Sequence, residues 1–253
     1  MSTPYRSLDD VVNGLTALEA RYRTAMDRRA IFTTLYLLVS REMRDRVTRG
    51  AFEDNVWVHR YAVAFANLYR QAIDDDEARR TQRVPKAWRL GFDLARAGNG
   101  LVLTDMLLGV NAHVNHDLPH ALNGISIEPD RDKRYRDHCA VNAVLGSVTE
   151  AATERISALY APGLAGLDAL AHNIDEMLSG FSLDVARESA WESAVSLANA
   201  RATGDRDRVM TLIGLRAAAV ARLLRAPSLD PRFIAACRAV EAGGRWVTLV
   251  TAG

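Results

Sequence analysis

At 253 residues, with 49% hydrophobic and 25% charged residues, the chain has ordinary globular composition and ample length for a buried core. A formal net charge of +1 leaves no electrostatic footprint for nucleic acid or an acidic membrane surface. Two cysteines, Cys139 and Cys237, are too few for a disulfide framework, and the most apolar stretch, VMTLIGLRAAAVARLL (209–224), is broken by Arg216 and Arg222, so no membrane span is expected.

The N-terminal MSTPYRSLDD has no apolar signal core, which points to a cytoplasmic protein with free, buried thiols. Ser7-Leu8-Asp9-Asp10 is a capping-box-like start for a helix to about Met26. A second helix is expected from about Arg28 to Arg49, ended by Gly50, and a third from a cap at Asp54 to about Ala72. The charged run IDDDEARRTQR (73–83) reads as a solvated connection. Pro85 suits the first turn of the next helix, which Gly98 closes. A helix from about Leu101 carries LLGVNAHVNHDLPHAL (107–122), and a long one capped by Asp130 runs to about Tyr160. Helical periods continue over about 164–178, 183–203, 205–225 and 231–242; RWVTLV (245–250) is the one strand-like stretch. Around ten helices joined by short connections predict an all-α, single-domain helical bundle over 1–253.

Half of the six histidines fall in the segment 107–122. On a helix, His113 and Asp117 share a face with Val102, Met106 and Gly109, an apolar stripe that points inward. Pro119 should end or kink the helix at Asp117–Leu118. A buried carboxylate needs a metal, an arginine or several hydrogen-bond donors. Arg187, one turn from Trp191, is a candidate anchor for Asp117 or a packing residue. His116 and His120 are assigned to the rim or solvent, and His172 to the surface or a boundary. His138 and Asn142 are one turn apart on the helix that follows; His59 lies on the stripe of Val56, Val63 and Ala66, with Asp45 fourteen residues upstream. His59, His113, Asp117, His138 and Asp45 form the candidate metal set, and His113, Asp117 and Asn142 the candidate catalytic set. Asn111, Asn115 and Asn142 are candidate orienting partners. Tyr36, Ser40 and Arg44 share a face of the second helix and suit either a polar pocket or a helix–helix seam. No P-loop, dinucleotide fingerprint, GxSxG elbow or paired CxxC is present. The pocket is expected between helices at about 54–72, 101–117 and 130–158.

The ordered segments TTLYLLVSREM, WVHRYAVAFANLYRQA, PKAWRLGF, LLGVNAHVNHDLP, HCAVNAVL and ESAWESAVSLA resemble an uncharacterised family of bacterial all-helical domains, over about residues 10 to 200. That resemblance implies a shared fold and no activity. LLGVNAHVNHD is also similar to the His-x3-Asp helix of zinc-dependent phospholipase C and the P1-type nucleases, all-helical enzymes with a three-zinc cluster that cleaves phosphoesters. This second likeness implies zinc or another divalent metal on Asp45, His59, His113, Asp117 and His138, with a metal-activated water as nucleophile. The chain departs from that pattern at Asn142, where those enzymes have Glu, and at Asn123, where they have His; a reduced one- or two-metal site or a metal-free pocket then follows. Three expectations result: a metal-dependent phosphoester hydrolase; a metal-free small-molecule lyase, isomerase or cyclase using the His113–Asp117 pair; and a non-catalytic helical binding protein.

Overall fold

The computed structural model describes residues 3–164, 182–225 and 231–242. Within them the protein is all-helical: α1 (Leu8–Thr24), α2 (Ala30–Thr48), α3 (Asn55–Glu77), α4 (Lys86–Ala97), α5 (Val102–Asn111), a π-helical turn (Ala112–Asp117), α6 (Leu118–Ile125), α7 (Arg131–Tyr160), a 3-10 turn (Pro162–Leu164), α8 (Leu183–Thr203), α9 (Arg206–Arg225) and α10 (Pro231–Glu241). The expected helix over 164–178, apart from its first residue, the strand-like 245–250 and His172 lie outside the described residues.

Local chemistry sets the boundaries. Ser7 and Asp10 form a reciprocal capping box at the start of α1. Asp54 accepts the Trp57 amide at 2.9 Å to start α3. Gly50 (φ 74°) and Gly98 (φ 67°) leave α2 and α4 in the left-handed region that an L side chain resists. Asp130 occupies the cap position of α7 without a side-chain cap bond, so that expected cap is absent. The largest departure is α3, which runs on through Asp74–Glu77 where a solvated connection was expected. Arginines from elsewhere explain it. Asp75 is buried and paired with Arg80 at 2.6 Å; Asp76 meets Arg96 at 2.6 Å and Arg29 at 3.3 Å.

The segment from Val102 to Ile125 runs through the middle of the bundle. Helix α5 packs on α2, α4 and α9, the π turn on α3, α4, α8 and α9, and α6 on α3 and α8. The expected break before Pro119 takes a specific form: the backbone widens into a π turn and then continues as α6, with Pro119 in its first turn. Proline supplies no N–H and its ring crowds the carbonyl a turn upstream, so a wider turn keeps the helix going where an α-helical ladder could not. Gly109 makes the close approach of α5 to α2 possible. A Cβ there would fall 2.4 Å from Cγ of Phe32, whose ring packs against His113 and Trp88. Gly109→Ala is therefore expected to lower stability by about 1–3 kcal/mol through overpacking, read as a lower urea midpoint at an unchanged m-value.

Candidate functional site

Asp117 is 2% exposed, and three donors converge on it. Trp88 Nε1 donates to Oδ2 at 2.8 Å, His113 Nδ1 lies 3.1 Å from the same oxygen, and His116 Nδ1 lies 2.8 Å from Oδ1. Burial pushes the carboxyl pKa up, but the bonds from His113 and His116 outweigh it and hold the group below its ordinary value. An ionised carboxylate only accepts, so both facing Nδ1 atoms carry their protons. Asp117 is thus compensated by an indole and two imidazoles, and not by Arg187 or any other arginine. His116, assigned to the rim, is partly buried and bonded to Asp117, because the π turn brings consecutive side chains onto one carboxylate; its ring centroid lies 4.9 Å from that of His120.

The other side of His113 is a different environment. The ring is buried and stacked on Phe65 at 3.5 Å between centroids and 5° between planes, with Tyr36 edge-on at 4.4 Å. Burial lowers its pKa despite the opposing pull of Asp117, so the imidazole is neutral. With the proton on Nδ1, Nε2 carries a bare lone pair, and it has no hydrogen-bond partner.

His113 lines a cavity of about 230 Å³, far more than the roughly 10–15 Å³ that one water occupies. Its wall is built from α1, α2, α3, α5, the π turn, α7 and α8 and is overwhelmingly apolar. Leu35, Val39, Met106, Val110, Leu145 and Val148 are only partly buried because they face this space. Helix α2 joins the three helices expected to form the pocket. Besides Thr149, Thr153 and Ser157 on α7, three hydroxyls interrupt the apolar lining: Tyr36, Ser40 and Tyr61, which are 8%, 4% and 2% exposed. Among the described residues none of these last three has a hydrogen-bond partner in the protein. Tyr36 and Ser40 therefore line a cavity, an apolar one, and form no helix–helix hydrogen-bond seam among the described residues. Arg44 lies apart, on Asp45 and Asp9. Burial raises the Tyr36 pKa well above its ordinary value, which keeps the phenol protonated and able to donate.

The remaining expected ligands are dispersed. Asp45 is at the end of α2, 2.9 Å from Arg44; His59 is half-buried on α3. His138 is buried against α8 with Arg187 at both ring nitrogens: Nε2 lies 3.2 Å from the Arg187 carbonyl and Nδ1 lies 3.4 Å from Arg187 Nη2. Burial, then the guanidinium charge, push its pKa down to about 3. Asn142 accepts from Arg187 Nε at 2.6 Å, so it neither orients nor joins His113. Asn111 and Asn115 serve the packing of the π segment, Asn115 bonding Asn111 and Asn111 bonding the Ala217 carbonyl of α9. Among the described residues no three His, Cys, Asp or Glu side chains are grouped to hold a metal ion. The five-residue metal set is divided into separate places and does not fit a metal cluster. Both cysteines are free and half-buried.

Sequence reasoning missed Trp88, Phe65 and the use of Arg187. Trp88 had one available signal: a tryptophan on a strongly amphipathic helix must find an acceptor for its indole N–H when buried. No curated protein and no solved structure matches the chain. The family model described as Family of unknown function (DUF5995) matches residues 8–227, and the chain belongs to that family.

Proposed function

We propose that this protein is a metal-free enzyme of small-molecule metabolism that moves a proton on an apolar substrate, in the isomerase or lyase class. The observation that supports this most directly is His113, a residue of the cavity lining whose enclosed Nε2 has no hydrogen-bond partner among the described residues and whose opposite ring nitrogen is fixed by a buried carboxylate. A neutral imidazole oriented in this way is a general base. It accepts a proton from a substrate carbon activated by a neighbouring carbonyl, and Asp117 stabilises the imidazolium that forms. Returning that proton to the γ-carbon of a conjugated dienolate completes a double-bond isomerisation; expulsion of a leaving group from the β-carbon instead completes a lyase reaction. Tyr36 and Tyr61 supply hydroxyl donors for the substrate oxygen where negative charge develops.

The test is proton exchange. The protein is incubated in D₂O with long-chain β,γ-unsaturated ketones, and deuterium uptake is followed by mass spectrometry. Wild type is expected to accelerate uptake, and His113→Gln to lose about 10²–10⁴-fold of that acceleration while still binding the ketone. Ketone binding without exchange in wild type would overturn the catalytic reading and leave a binding protein; an unchanged rate in His113→Gln would remove His113 as the base.

A further inference from the structure

Arg187 is 3% exposed and lines the same cavity, yet no carboxylate pairs with it among the described residues. Its Nε donates to Asn142 at 2.6 Å and its Nη2 to the His138 carbonyl at 2.6 Å, both neutral acceptors. Among the described residues Nη1 makes no hydrogen bond, it is not one of the fully enclosed atoms, and the residue lines the cavity. The neighbouring histidine cannot supply negative charge: His138 is neutral, its Nδ1 lone pair facing the guanidinium. A guanidinium is always charged, and burying it without a counter-ion is costly. Among the described residues, then, a buried cation without a counter-ion stands on the wall of a largely apolar space.

The position of Arg187 defines the ligand further. His138 and Asn142 hold it beside Val141, at one end of the α7 face that lines the cavity. That face continues through Leu145, Val148, Ala152 and Ile156 to Ala161. Twenty residues of helix span about 30 Å, so the charge lies at the end of a long apolar wall. We propose that the cavity binds an extended hydrocarbon monocarboxylate, its carboxylate on Arg187 Nη1 and its chain along α7 and α5. A single unit of positive charge matches a monoanion; a phosphate monoester would bring a second charge that nothing else on the wall offsets. This assignment rests on the cavity being the ligand site of the proposed function, and it names the substrate class.

The experiment is calorimetric titration of the full-length protein with dodecanoate, dodecanol and dodecyltrimethylammonium, each below its micellar concentration. Dodecanoate is expected to bind one-to-one and at least tenfold more tightly than dodecanol, and the ammonium compound not at all. In Arg187→Gln, acid and alcohol should bind within about twofold of one another. The head-group comparison in wild type stands even if that variant fails to fold. Equal binding of dodecanoate and dodecanol by wild type would overturn the carboxylate assignment while leaving the cavity as a ligand site. Binding of none of the three would overturn both the assignment and the use of the cavity.

Discussion

Asp117→Ala is expected to lower the stability of the protein by about 3–5 kcal/mol, the range for removing one partner from a buried, charged network. The loss follows from what the substitution strands. Trp88 Nε1–H, His113 Nδ1–H and His116 Nδ1–H all end on this carboxylate, and Trp88 and His113 are enclosed by aromatic rings with no water to replace it. Asp117→Asn should separate structure from chemistry. An amide retains one oxygen acceptor, so the fold survives with a smaller loss. It also presents an NH₂ to one of the imidazoles and no longer fixes the Nδ1–H tautomer of His113. Any proton-transfer activity should fall by about 10²–10⁴-fold. Urea denaturation of both variants checks the first part. A loss below about 0.5 kcal/mol for Asp117→Ala would mean that the three-donor network does not hold the π turn in place.

Acid should weaken the fold well before the carboxylates protonate, and His138 is the clearest contributor. Its pKa is about 3 in the folded state against an ordinary value near 6.5. Between these values the unfolded chain binds a proton that the folded chain refuses, so stability falls as pH drops below about 6.5. One such group contributes a slope of about 1.4 kcal/mol per pH unit, or roughly 2–3 kcal/mol by pH 4.5. His120, lowered to about 4, and His113, also lowered, act in the same direction. Asp105 acts in the opposite direction: burial raises its pKa to about 6, and it gains a proton on folding over part of the same range. Asp117 adds its loss only at lower pH, as its depressed folded value is passed. Comparing wild type with His138→Gln isolates one histidine from this sum. Glutamine keeps a donor for the Arg187 carbonyl and cannot titrate, so the variant's stability should decline less steeply between pH 6.5 and 4. Parallel curves would show that His138 is not buried as a neutral imidazole.

The buried His113–Asp117 pair was legible in the sequence for a physical reason. His113 and Asp117 are one turn apart on an apolar stripe, and a helix with such a stripe has one way to face. The consequence of Pro119 was legible in kind, because the missing N–H and the crowded carbonyl must disturb the ladder. Its form, a π turn that lets His116 join the same carboxylate, depends on the helices packed around it. The charged end of α3 was misread because a run of aspartates looks solvated until Arg29, just before α2, and Arg96 of α4 arrive. For Arg187 the sequence left an anchor for Asp117 and a packing role open, and neither named its partners for a similar reason. Its spacing to Trp191 fixed its face of α8, but only the α7–α8 pairing showed that His138 and Asn142 would hold it. Tyr36 and Ser40 lay on a correctly identified face, and the choice between pocket and seam required the cavity itself.

The proposed proton transfer depends on the state of one ring, that of His113. Long-range ¹H–¹⁵N correlation spectra of selectively labelled histidine at pH 7, assigned with His113→Gln, report which nitrogen of His113 carries the proton. The expected result is a neutral ring protonated at Nδ1, with an Nε2 resonance that shifts when a long-chain ketone or dodecanoate is added. An imidazolium, a ring protonated at Nε2, or an Nε2 resonance unmoved by either compound would contradict it.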